Sequence, residues 1–303
     1  MVSNRIWAPS PAAPRRHPDA RRVLTHLKMR ANKNPSRSVQ GSSSQRQVGA
    51  AGWLAFLEWL APLTVFLIAW ELTARASDLP PFILPSVLAV WGRFLRAAGD
   101  GSLLFHTVVT FAEIALGLLI GSAAATLIGY RVARSPRLER LLSPYLVASQ
   151  AIPMVALAPL LVIWLGPGMA AKVLICALTV FFPILVNTIV GVRAVPAALH
   201  DLMSSLHATR WQILKYLEVP AALPVFLGGL RIGATLSVIG AVVGELVGAD
   251  RGLGFLVNVG RGQYDTALVF VAILMLIAMA LALYGVVTWI ARRALVWQEP
   301  YEH

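Results

Sequence analysis

Cysteine is almost absent from this 303-residue chain: Cys176 stands alone. No intrachain disulfide can form, and thiol redox chemistry has no second sulfur to work with. Charge is scarce as well. Only 13% of residues are Asp, Glu, Lys or Arg while 57% are apolar, against about 25% charged in ordinary soluble domains. No Gly-Lys dipeptide occurs, so the chain holds no P-loop and cannot cradle nucleotide phosphates that way. The six histidines are His17, His26, His106, His200, His207 and His303. None forms a metal-ligating pair on an apolar segment, and no carboxylate or thiol completes a site around His200 and His207. Catalytic residues, cofactors and metals are therefore not expected, and an integral membrane enzyme is a poor reading.

What the chain does have is long uncharged runs. Leu141 to Ala171, Val173 to Val192 and Thr266 to Ala291 contain no Lys, Arg, Asp or Glu. About 20 apolar residues suffice to cross the hydrocarbon of a bilayer, so the chain is expected to be all-α and polytopic. Six transmembrane helices are predicted, at about 53–74, 107–130, 143–165, 169–192, 225–247 and 267–291. The first is the weakest because it contains Glu58 and Glu71; Trp53, Trp59 and Trp70 are expected to anchor it at the interfaces. Pro153, Pro159 and Pro183 fall inside the third and fourth spans, where each removes a backbone hydrogen bond.

Charge is concentrated at one end. Residues 1–52 hold ten Lys or Arg and one acid, Asp19, which is +9 of the net +12. The stretch lacks apolar periodicity and reads as a basic disordered cytoplasmic tail, not a nucleic-acid module. Its first apolar segment comes too late and runs too long for a secretory signal peptide, and Met29 is an alternative start. The transmembrane domain is expected over 53–297 and a short cytoplasmic tail over 298–303. Arg131, Arg134, Arg137 and Arg140 fall on the same side as Arg193, Arg210, Lys215, Arg292 and Arg293. The positive-inside rule makes that side, and both termini, cytoplasmic. The loops opposite mix Arg93, Arg251 and Arg261 with Asp100, Asp250 and Asp265.

The cytoplasmic loop at about 194–224 is the most informative segment. Leu199, Leu202, Met203 and Leu206 recur at helical spacing, His207-Ala-Thr209 interrupts them, and Trp211, Ile213 and Leu214 start a second apolar face that Pro220 is expected to stop. Two short helices set at an angle would present a knob to a groove on a soluble partner.

These residues carry a resemblance. Asp201-Leu202-Met203 stands where permease subunits of bacterial ATP-binding-cassette importers have a Glu-Ala-Ala triplet, and His207 where they have a glycine. Val219-Pro220-Ala-Ala-Leu-Pro224 and the run on to Leu230-Arg231-Ile232 match the pattern that follows. Leu84-Pro85-Ser86, Gly117 to Gly121 and Gly252-Leu253-Gly254 extend the likeness over about Trp53 to Trp297. The chain is similar to the branch serving nitrate, sulfonate, taurine, thiamine-precursor and riboflavin uptake.

The resemblance implies a type I ABC importer (MetI-like) permease fold and a homodimer in the bacterial inner membrane. It also implies ATP-binding-cassette ATPase subunits and an external solute-binding protein as partners. Asp201, Leu202, Met203, Leu206, His207, Arg210, Pro220 and Pro224 would form the ATPase-coupling segment. Gly260 to Thr266 points to a vitamin or vitamin precursor as solute. Glu113, Gln150, Asn187 and Glu245 are the polar groups within spans and so the translocation-path candidates. Glu113 would pair with an arginine or face the cavity, Glu245 would line the mouth or bond another helix, and Arg231 would snorkel. Gly117 and Gly121 read as a packing face. An ion-coupled secondary transporter is the reading of another class.

Overall fold

A computed structural model describes residues 48–77 and 80–297, with side chains described from residue 61. The expected tails at 1–52 and 298–303 thus fall wholly or largely outside the described residues. No strand occurs among the described residues. The helices are α1 (Val48–Ala76), α2 (Val87–Gly99), α3 (Ser102–Ala133), α4 (Pro136–Gln150), α5 (Met154–Leu165), α6 (Met169–Arg193), α7 (Ala197–Ser205), α8 (Arg210–Ile213), α9 (Val219–Gly248), α10 (Leu253–Gly262) and α11 (Thr266–Ala294). The described residues from Leu63 onward form one compact unit, and the contacts below lie within it.

Four helices among the described residues are long and apolar enough to cross a membrane: α3, α6, the continuous Arg210–Gly248 helix and α11. The expected third span, 143–165, is corrected. It is two helices, α4 and α5, bent by 93° at a short break. Pro153 has no N–H to give and its ring disfavours helical backbone at Ile152, so the helix ends there instead of merely kinking. The pair supplies a fifth span if it counts as one. The first expected span falls on α1, which carries Pro62 inside it.

Small residues bring the central helices together. α6 lies between α3 and α9, and both neighbours approach through glycine. A Cβ on Gly121 would lie 2.5 Å from Val180 Cγ2, and one on Gly240 would lie 2.9 Å from Cys176 Cα. Without Cβ atoms the backbones pack closely, which is how helices gain dispersion energy where lipid offers no hydrophobic drive. Cys176 is fully buried in this seam.

The element starts follow local chemistry. Ser86 caps α2 by accepting from the Ala89 amide, Ser135 caps α4 with Pro136 at the first helical position, and Asp265 caps α11 and pairs with Arg93 at 2.7 Å. These are the cap types whose short oxygens satisfy the first free N–H groups. Trp70 in α1 donates to the Pro85 carbonyl at 3.1 Å and packs at a tilt against the Phe270 ring.

Candidate functional site

α7 and α8 stand out for the large apolar side chains they expose. Leu202 is 54% exposed, Leu206 69% and Trp211 69%. Asp201, His207 and Arg210 are exposed beside them, and Met203 is half-buried. The corner between the two helices is a full C-terminal motif. The His207 amide donates to the Ser204 carbonyl at 2.9 Å and the Ala208 amide to Met203 at 3.0 Å. That geometry requires a left-handed residue just past the helix, a place glycine usually takes. His207 occupies it at φ +54°, at a cost of roughly 1 kcal/mol for a residue with a Cβ. α8 then starts on a capping box: the Thr209 hydroxyl accepts from the Gln212 amide, and the Gln212 side chain accepts from the Thr209 amide.

Pro220 does not stop α8. The chain passes through a π-helical turn, Leu214–Glu218, straight into α9. The Val219 amide reaches back to the Leu214 carbonyl, and the wider ring leaves Pro220 to follow at a position whose missing N–H is tolerated. Pro220 and Pro224 therefore lie half-buried in the body of α9, while Asp201, Leu202, Leu206, His207 and Arg210 stay together on the exposed pair.

Glu218 ties this junction to the bundle. It is 1% exposed. Arg134 Nη1 donates to its Oε1 at 2.5 Å and the Tyr130 hydroxyl to its Oε2 at 2.9 Å. His200 Nε2 of α7 lies 3.9 Å from the same carboxylate. One acid thus joins α3, α7 and the start of α9, beside a cavity of about 300 Å³ lined by Thr126, Tyr130, Leu214 and Phe226. Arg193 pairs with Glu139, linking α6 to α4 at the same end. The sequence reading passed over Glu218; its signal is a lone acid between apolar helical residues directly before Val219-Pro220.

The four polar groups named within spans sit in different surroundings. Gln150 is exposed at the end of α4 and donates to its own helix at Leu146. Asn187 donates to Pro183, with its Cβ against Gly229. Glu113 is fully buried, and its partner is Lys172 of α6 at 2.5 Å, not an arginine. Lys172 was legible as the single charge separating two uncharged runs. Glu245, also fully buried, bonds between helices: Thr110 donates to it at 2.6 Å and the Gly254 amide at 2.5 Å. Arg231 is half-buried on the long helix, and its buried Nε has no hydrogen-bond partner. Among the described residues no cluster of His, Cys, Asp and Glu could hold a metal.

Three comparisons bear on this arrangement. A family model described as binding-protein-dependent transport system inner membrane component matches residues 117–296. A riboflavin transport system permease protein from Chloroflexus aurantiacus is 43% identical over 246 residues, covering 80% of this chain and 92% of that protein. A formylaminopyrimidine transport permease protein from Halalkalibacterium halodurans is 36% identical over 244 residues, covering 79% and 96%. The solved structure of the MetNI methionine ABC transporter in an inward-facing conformation aligns with a TM-score of 0.52. It is 20% identical and covers 64% of this chain and 94% of that one, a likeness of fold alone.

Proposed function

Because the chain belongs to the family of binding-protein-dependent transport system inner membrane components, we propose that it is the permease subunit of an ATP-driven importer gripped at α7 and α8 by a separate ATP-binding-cassette ATPase. One observation carries this. An exposed apolar helix pair runs on into the Arg210–Gly248 helix and is tied to α3 through Glu218. A push on the pair therefore moves two spanning helices together. Apolar side chains presented at helical spacing suit a groove on a soluble partner.

In this reading the α7–α8 end is cytoplasmic, with both termini on that side, and an external solute-binding protein docks at the opposite end around α10. Two copies of the chain enclose the path in the inner membrane. ATP closes the ATPase pair, which drags both helix pairs and swings the bundle between outward-open and inward-open states. The solute is a vitamin or vitamin precursor, riboflavin or a thiamine-precursor pyrimidine. The relatives at 43% and 36% identity support that class.

The test is co-purification with the candidate ATPase. Deleting residues 201–215 should abolish association. Leu206→Asp, which puts a charge on the exposed apolar face, should leave insertion intact and uncouple hydrolysis from uptake. Normal uptake by Leu206→Asp would make the pair mere interfacial packing, and uptake without any ATPase would make the chain an ion-coupled secondary transporter. Ligand retained by the purified binding protein tests the solute; a sulfonate, taurine or nitrate would replace the vitamin reading.

A further inference from the structure

The Gly252-Leu253-Gly254 turn has no role in the coupling end, yet it is heavily bonded to its neighbours. Three consecutive amides land on three side chains. Gly252 N–H donates to His106 Nδ1 at 2.9 Å, Leu253 N–H to Thr110 Oγ1 at 2.8 Å, and Gly254 N–H to Glu245 Oε2 at 2.5 Å. Thr110 closes the set by donating to Glu245 Oε1 at 2.6 Å. His106 and Thr110 belong to α3 and Glu245 to α9, so the start of α10 is held by both helices at once. The glycines are required by the carboxylate. Gly252 sits at φ +116° with Glu245 packed where its Cβ would be, and a Cβ on Gly254 would lie 2.8 Å from Glu245 Cβ. Two buried carboxylates here face one ammonium. Lys172 balances Glu113, whereas the positive end of α10 balances Glu245.

Charge so deeply buried cannot be left alone; an uncompensated buried ion costs several kcal/mol. If α10 rises, Glu245 needs another cation, and Lys172 is beside it. The Lys172 stem crosses α9 at Gly244, the residue before Glu245, with its Cγ 3.2 Å from where a Gly244 Cβ would sit. Glu113 and Lys172 also border a cavity of about 630 Å³ that reaches Asp250 and Arg251, so water can enter to meet a released Glu113.

We propose that Glu245 is a positioning residue for transport: it holds α10 seated on α3, and Lys172 passes from Glu113 to Glu245 when α10 lifts from the outer mouth. This rests on the importer reading, with lifting of α10 belonging to the outward-open state in which the ATPases close. Seated, the pairs are Lys172–Glu113 and Glu245–α10. Lifted, they are Lys172–Glu245 and Glu113–water.

The experiment uses the complex of this chain, its ATPase subunits and its binding protein in lipid nanodiscs, reading ATP hydrolysis with and without binding protein. Glu113→Gln frees Lys172 and should raise hydrolysis in the absence of binding protein about tenfold, the scale of one charge-assisted bond. Lys172→Met removes the cation that is handed over and should lower binding-protein-stimulated hydrolysis about tenfold without raising the unstimulated rate. Lys172→Arg should retain the wild-type response. The double variant Glu113→Gln/Lys172→Met should lose the rise seen in Glu113→Gln. A rise that survives in the double variant overturns the hand-over, as does Lys172→Arg behaving like Lys172→Met. An equal fall in both rates for Glu113→Gln also overturns it, since loosened packing alone predicts that. A wild-type chain that assembles with no ATPase is a different result and removes the importer reading together with this one.

Discussion

At one end of the Arg210–Gly248 helix, the buried Glu218 is met by side chains: Arg134 and Tyr130 of α3, with His200 of α7 nearby. At the other end, about 40 Å away at 1.5 Å per residue, the buried Glu245 is met by a threonine hydroxyl and a backbone amide. Both acids staple this helix to α3, but the staples differ in kind. Arginine and tyrosine reach Glu218 on rotatable stems, beside the Leu214–Glu218 π turn, a rare geometry found mostly at functional sites. Such stems let the bonds persist through small shifts of the helix. The Glu245 end depends on one backbone conformation, so it is either seated or released. On the proposed importer reading, the first end is a compliant handle and the second a discrete catch.

Substitution of Gly252 should break the catch most severely. Gly252→Ala places a Cβ at φ +116° and against the Glu245 carboxyl. Backbone strain and overlap together should cost about 3 kcal/mol, read as a lowered melting temperature in detergent. No substitution at the Glu218 end combines two such penalties, so an unchanged melt would erase the contrast between the ends.

Glu218→Gln should come next. It discards the charge-assisted bond from Arg134 yet keeps an oxygen for Tyr130. Arg134 is 39% exposed and can turn to water, so the loss should be about 1.5 kcal/mol, read by the same melt. Transport per ATP hydrolysed should fall further than stability does, because the anchor moves with the handle. Tyr130→Phe should cost about 1 kcal/mol. Because both side chains act through one carboxylate, the double variant should cost less than the two single losses combined. Full additivity would mean that Arg134 and Tyr130 serve separate anchors.

Much of this architecture could be read in advance. Uncharged runs locate α6 and α11, the span expected at 107–130 falls on α3, and the spacing of Leu199, Leu202 and Leu206 followed by His207-Ala-Thr209 locates the exposed pair and its corner. The misses have physical causes. Pro220 signals a stop, but a π turn absorbs it, and no period in the sequence announces a π turn. Pro153 signals a kink, while the size of the bend depends on what α4 and α5 pack against. The ion pairs were out of reach. Glu218 meets residues 84 and 88 positions earlier and Glu245 one 135 positions earlier, distances across which helical periodicity carries no information. Gly252-Leu253-Gly254 was legible as a motif, and its reason lay in a carboxylate on another helix.

The smallest effect sharpens the comparison from the outside. Asp250 lies beside the catch but is exposed, and its partner is its own neighbour, with Arg251 Nη2 at 2.9 Å. That hydrogen bond holds the Asp250 carboxyl below its usual value. A depressed carboxylate contributes stability above its unfolded value, near pH 4, and loses it as the pH falls through the folded value. Here water screens the pair, and adjacency in sequence keeps Arg251 beside Asp250 in the unfolded chain too. The contribution should therefore vanish. Asp250→Asn should melt with the wild-type chain both at neutral pH and at about pH 4. A lower melting temperature for Asp250→Asn at neutral pH alone would mean that its charge reaches the buried Lys172 through the cavity they share, and that the catch extends to the surface.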